Sequence, residues 1–215
     1  MAEEPLLNDV EVRVLGSLIE KQLTTPEYYP LTLNALTHAC NQISNRDPVV
    51  AYDEKQVVRA LESLREKNLA YIFYGSESRV PKYKHVVPEV LHLTPPETAI
   101  VCVLMLRGPQ TPGELRGNAS RLFDFAGLDE VEQTLAGLIT HEPDQLVVRL
   151  ARQPGQKEVR FAHLLSGAPV EIAAEPLAPA APMSSRQTLE QKVDALAAEV
   201  EKLRLQFDEF RKQFE

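Results

Sequence analysis

One apolar triplet occurs twice at a constant distance. Val57, Leu61 and Leu64 are followed 74 residues later by Val131, Leu135 and Leu138. Steps of four and three residues put each triplet on a single stripe of a helix, the side that must be buried. Each triplet also follows a capping signal, Asp53 with Gln56 and Asp129 with Glu132. In both pairs an acceptor at the helix start would be answered by a side chain three residues on. A chain that repeats a buried stripe at this distance is built from two similar units, and everything around the triplets fits that reading.

Each triplet is preceded by two shorter helical patterns. In the first unit Asn8 and Glu11 open a helix bearing Val10, Val14, Leu15, Leu18 and Ile19. The two-proline loop Thr25-Pro26-Glu27-Tyr28-Tyr29-Pro30 then leads to a stripe of Leu36, Ala39, Cys40 and Ile43. In the second unit Thr94-Pro95-Pro96-Glu97 starts a helix with Ile100, Val103 and Leu104, and Thr111-Pro112-Gly113-Glu114 starts a shorter one with Leu115, Ala119 and Leu122. Both starts carry proline at the first helical position, where its missing N–H costs nothing. After each triplet comes a β-rich run, a turn and a returning run: residues 69–74, 75–78 and 79–85, then 146–150, 154–155 and 159–163. Pro81 is expected to make the first return strand an edge strand, since proline cannot donate to a ladder.

Three helices followed by a hairpin, twice over, is the plan of two tandem winged helix-turn-helix domains. The expected class is mainly α with small β-hairpins (α+β), with domains at 1–90 and 91–165. The competing arrangement is one α+β domain with a four-stranded sheet; the constant offset favours two units. Residues 166–185 are rich in Ala and Pro and read as an extended linker. Residues 186–215 carry Leu189, Val193, Leu196, Val200, Leu203, Phe207 and Phe210 at alternating steps of four and three. That is the seam of a coiled coil. About three and a half heptads are marginal alone, so a homodimer through this helix is expected, with docking back onto the body as the alternative.

The residues of the first unit also resemble a known family. Thr24-Thr25-Pro26-Glu27-Tyr28-Tyr29-Pro30-Leu31, Asn34-Ala35, Ala39-Cys40-Asn41-Gln42 and Ser44-Asn45-Arg46-Asp47-Pro48-Val49 are similar to the YceH-like family, a bacterial family of unassigned function. The second unit matches through Leu106-Arg107-Gly108, Gln110-Thr111-Pro112-Gly113-Glu114-Leu115-Arg116, Val148-Arg149-Leu150-Ala151-Arg152 and Leu164-Leu165-Ser166-Gly167. The resemblance covers residues 6 to 167 and implies a tandem winged-helix fold in a cytoplasmic bacterial protein. It implies no activity. Where the family usually has Lys, this chain has Ile43.

Composition excludes several function classes. Charged residues are 25% and hydrophobic ones 44%, so the chain is neither disordered nor fibrous. No run of 18 apolar residues exists and the first residues are acidic, so no membrane span or signal peptide is expected, and a cytoplasmic location is. Two cysteines, Cys40 and Cys102, fall on apolar stripes and are read as buried. The five histidines are scattered, and Gly108, Gly113 and Gly117 form no phosphate loop. The chain is therefore expected to be no enzyme and to need no metal or cofactor.

A net charge of −8 means that any nucleic-acid contact must come from a local basic patch. The first unit offers one. With its triplet turned inward, the third helix shows Lys55, Gln56, Arg59 and Ser63 outward. Gln and Arg can pair with base edges. Arg79 and Lys82, with Lys84, lie on the hairpin where phosphates would pass, and Arg46 lies in the connection among Asn41, Gln42, Ser44 and Asn45. The aromatics Tyr28, Tyr29, Tyr71, Phe73, Tyr74 and Tyr83 are read as core and hairpin packing. Against the basic patch stand Asp53, Glu54, Glu62 and Glu66, which bring the helix to zero net charge. The cluster around Arg46 would also serve to hydrogen-bond an ordered loop. Two functions stay open: double-stranded DNA binding by the first unit, as in a transcriptional regulator, or an acidic protein–protein interaction scaffold that does not bind DNA. The second unit is expected mainly to pack against the first or another chain.

Overall fold

The computed structural model describes residues 7–74, 80–152 and 158–167. Arg79, the linker from residue 168 on and the expected dimer seam at Leu189, Val193, Leu196, Val200, Leu203, Phe207 and Phe210 lie outside the described residues.

Helix α1 (Asp9–Thr24) starts as its sequence directs: Asn8 Oδ1 accepts from the N–H groups of Val10 and Glu11, and the Glu11 carboxylate accepts from Asn8 N–H, all at 3.0 Å. Strand β1 is only Leu31–Thr32, and Thr32 then caps α2 (Leu33–Cys40). Helix α3 (Glu54–Glu66) opens on the Asp53–Gln56 capping box. Strands β2 (Ala70–Phe73) and β3 (Lys82–His85) form an antiparallel hairpin, and β1 pairs with the other side of β3. The sheet order is β1-β3-β2. After the single turn α4 (Val87–Val90) the order recurs as α5 (Pro95–Arg107), α6 (Pro112–Ala119), α7 (Leu128–Ile139), β4 (Val147–Arg149) and β5 (Phe161–His163). The place of β1 is taken by one bridge. Gln110, just before the N-cap Thr111, exchanges backbone hydrogen bonds of 3.0 and 2.8 Å with Phe161, as Leu31 before Thr32 pairs with Tyr83.

The chain is thus mixed α and β, with seven α-helices and two small antiparallel sheets among the described residues. Because the sheets are separate, the four-stranded alternative is excluded for those residues. Two local expectations are corrected. The return strand β3 is central, because the two-residue β1, some fifty positions earlier, covers its free side. Pro81 lies one residue before the ladder and interrupts nothing. Asp129 does not cap α7, which starts at Leu128 behind an extended Gly127. The Glu130 carboxylate reaches back instead to Ala126 N–H at 2.7 Å.

Val57, Leu61, Leu64 and their repeats Val131, Leu135, Leu138 are all at most 1% exposed. The two halves share one apolar core. Its middle is α1 against α5, each covered on nearly every side: in α1 everything from Glu11 to Glu20 is buried, in α5 everything from Thr98 to Leu106. Gly16 lets them approach. A Cβ there would stand 3.0 Å from Leu106 Cδ2 and 3.2 Å from Met105 Cβ, and the Cys102 thiol donates to Gly16 O at 3.4 Å.

Candidate nucleic-acid interface

The inward stripe of α3 fixes what it shows outside. Lys55, Gln56, Arg59, Glu62, Arg65 and Glu66 are exposed, whereas Ser63 is half-buried, so its expected outward role is corrected. Ser63 turns towards Glu11 of α1. Among the described residues Lys55 and Arg59 make no ion pair, and they stand one helical turn apart, on one face. Gln56 is partly committed. Its Oε1 accepts from Asp53 N–H at 3.0 Å, so two-point pairing with adenine would require the cap to open. Lys82 is half-buried on β3, opposite Phe73 and Thr32.

Arg46 is a correction. Instead of facing a phosphate it is 6% exposed and turned inward. Its Nη2 and Nη1 donate to the Glu20 carboxylate at 2.6 and 3.1 Å, and Nε and Nη2 donate to Ala39 O at 3.2 and 2.8 Å. Burial opposes the ionisation of Glu20, but the hydrogen bonds and charge of Arg46 outweigh it and hold the carboxyl below the usual range. The neighbouring side chains do similar work. Asn41 exchanges two 2.8 Å bonds with the backbone of Tyr52, and Gln42 accepts from Lys21 and Arg46 at 3.3 Å. Buried Arg13 of α1 donates to Pro48 O at 2.7 Å and Cys40 O at 3.4 Å. The motif from Asn41 to Pro48 therefore locks the connection that aims α3. Sequence reasoning missed Arg13 and Glu20 because nothing local marks them as the loop's partners. Ile43, expected on the apolar stripe with Leu36, Ala39 and Cys40, is corrected too: α2 ends at Cys40, and Ile43 lies beyond it, 83% exposed.

The hairpin differs from expectation in a second way. Tyr29 and Tyr83 pack against the core, but Tyr28, Tyr71, Phe73 and Tyr74 are exposed, the last at 67%. The reason is strand alternation: Ala70 and Ile72 face the core with Tyr83 and His85, which leaves Tyr71 and Phe73 on the outer face. There Tyr71 lies opposite Lys84 and Phe73 opposite Lys82. Lys84 Nζ sits 5.8 Å from the Tyr71 ring centroid.

The inner face ends on His85, 1% exposed. Its Nδ1 accepts from Val87 N–H at 3.3 Å, while the buried Nε2 has no partner among the described residues. Burial pushes its pKa down to about 4, with Lys84 adding to the shift. His163 ends β5 at the equivalent place and is likewise pushed down by burial to about 4. Burial raises the Cys40 thiol to about 11, and that of Cys102 further, so neither is a nucleophile at neutral pH.

In the second half the matching surface is thinner. Leu128, Asp129, Glu132 and Gln133 are exposed on α7. Arg160 is held by Glu114 at 2.9 Å and Pro109 O at 2.7 Å. Arg116, Arg121 and Arg149 remain exposed.

Comparison with known proteins places this arrangement. Residues 7–156 match the family described as a protein of unknown function, DUF480. The chain belongs to the DUF480 family. A UPF0502 protein of Geobacter sulfurreducens is 55% identical over 222 residues, covering 99% of this chain and 100% of its own length. One of Opitutus terrae is 56% identical over 192 residues, 89% of this chain and 84% of its own. One of Pelobacter propionicus is 50% identical over 220 residues, 99% and 100% of the two chains. The alignments to the Geobacter and Pelobacter proteins extend beyond residue 167, where the resemblance seen in the sequence stops. For DUF480, then, family membership carries no activity, and function has to be argued from the surface. No helix among the described residues is long and apolar enough to cross a membrane.

Proposed function

We propose that each half of the chain is a winged helix and that the first half binds duplex DNA, as a transcriptional regulator does. The observation that carries this reading is the order α1–β1–α2–α3–β2–β3 with sheet order β1-β3-β2, which leaves the stripe of α3 opposite Val57, Leu61 and Leu64 open. In such a module the third helix enters the major groove and the hairpin follows the backbone. Lys55 and Arg59 supply the cations on α3 and Lys82 the one on the hairpin; Gln56 offers its amide N–H groups. Arg46 acts only indirectly, by fixing the loop that aims α3. The seam at residues 186–215 pairs two chains into a cytoplasmic homodimer that covers two half-sites, and light scattering before and after its removal reads this.

The test is charge reversal. Lys55→Glu with Arg59→Glu abolishes binding to duplex DNA and leaves thermal unfolding unchanged, because both side chains are exposed and make no ion pair among the described residues. Undiminished affinity in this double variant rules out α3 as the contact. A second reading, the protein-binding scaffold, is favoured by the exposure of Ile43 at 83% and Val49 at 54% on one loop. It predicts no DNA binding by the unaltered protein.

A further inference from the structure

The outer face of the first hairpin holds two aromatic rings and two lysines in alternation. Tyr71 and Phe73 are two residues apart on β2, so they stand about 6.7 Å apart along the strand, given a rise of about 3.3–3.4 Å per residue. Each has a lysine directly across the ladder: Lys84 opposite Tyr71, Lys82 opposite Phe73. Direct cross-strand neighbours are about 5 Å apart at Cβ. Tyr71 and Phe73 are 37% and 41% exposed, and neither lysine makes an ion pair among the described residues. This is large apolar surface left in water beside unneutralised charge on a body that is otherwise acidic.

We propose that this face binds a single-stranded nucleic acid, with unpaired bases stacked on Tyr71 and Phe73 and phosphates held by Lys82 and Lys84. Two physical arguments choose this occupant. Rings can stack only on bases that are not already stacked on each other, as in a duplex at about 3.4 Å spacing. A separation near 6.7 Å gives each ring its own base in a stretched strand. Against a protein partner, interface cores gain aromatic residues but lose lysine, whereas a lysine beside each ring matches the base–phosphate alternation of an unpaired strand. Lys84, above the Tyr71 ring at 5.8 Å, already places its charge beside a stacking surface. The surface shares Lys82 with the duplex contact proposed above but includes neither Lys55 nor Arg59, and the inference does not rest on duplex binding by α3.

The experiment uses the full chain and a fluorescent oligothymidylate of about 16 nucleotides, followed by anisotropy at low salt. Blunt duplex DNA is titrated in parallel. The unaltered protein binds the oligothymidylate. Tyr71→Leu with Phe73→Leu, which keeps the face apolar but removes both rings, weakens that binding by about 30-fold or more and leaves duplex binding unchanged. Lys82→Gln with Lys84→Gln makes the log–log salt slope shallower by about 1.4. Lys55→Glu with Arg59→Glu leaves oligothymidylate binding intact, so loss of duplex binding alone is read separately. No binding of oligothymidylate by the unaltered chain overturns the proposal. So does binding that survives loss of both rings, as an apolar protein-docking face would allow.

Discussion

Arg46 and Glu20 form a two-point ion pair, at 2.6 and 3.1 Å, that ties the α2–α3 connection to the buried side of α1. The Arg46 side chain is fully enclosed, and its partners, the Glu20 carboxylate, Ala39 O, Asn45 O and Gln42 Oε1, all belong to the protein itself. The pair therefore sets the direction of α3 without touching anything outside the protein.

Arg46→Ala leaves Glu20 charged, buried and without its main partner. Breaking a buried pair from one side costs about 3–5 kcal/mol. Urea unfolding at neutral pH should show a loss of that size. A loss below about 1 kcal/mol would mean that Arg46 spends its time at the surface, and would return it to the list of phosphate contacts.

Gly16 permits the close approach of α1 and α5, with Leu106 and Met105 at 3.0–3.2 Å from a would-be Cβ. Gly16→Val introduces three carbons into that contact. Overpacking of a filled core costs about 1–3 kcal/mol, enough to offset the roughly 1 kcal/mol of helix propensity that replacing glycine in a helix can recover. The expected result is a lower melting temperature for the whole chain, because both halves share this seam. An unchanged or raised melting temperature contradicts the shared core.

His85 links stability to acid. Its pKa falls from an ordinary 6.5 in the unfolded chain to about 4 when folded. The folded state is thus favoured most above pH 6.5. As pH falls towards 4 the unfolded chain takes up a proton that the folded one refuses, and stability drops by about 3 kcal/mol through this group. His85→Gln keeps an acceptor for Val87 N–H but cannot titrate. Its stability should therefore fall less steeply between pH 6.5 and 4, with His163 supplying a remaining slope of the same sign. Parallel profiles for the two proteins would show that the buried ring is not what senses pH.

Features written within a few neighbouring residues were legible in the sequence. The stripes at Val57 and Val131 and the caps at Asn8, Asp53, Thr94 and Thr111 are local patterns, and the structure forms them. What depended on distant partners was not legible. Arg46 looked available because Glu20 lies 26 positions away on another helix. Pro81 suggested an edge because a two-residue β1 has no alternation to reveal it. Asp129 was a plausible cap until Gly127 took the extended conformation that a cap needs. The outer-face pairing of Tyr71 and Phe73 with Lys84 and Lys82 depended on the hairpin register, in which the ladder ends at Phe73 opposite Lys82 and not at the residues flanking the expected turn at 75–78.

The reading of α3 as a groove-binding helix is tested most directly by titrating random duplex DNA at two salt concentrations. Three phosphate contacts, from Lys55, Arg59 and Lys82, give a log–log slope of about −2.7 per chain. Between about 50 and 200 mM salt the affinity should then fall about 40-fold per bound chain. Absence of binding at the lower salt, or an affinity indifferent to salt, would contradict the account.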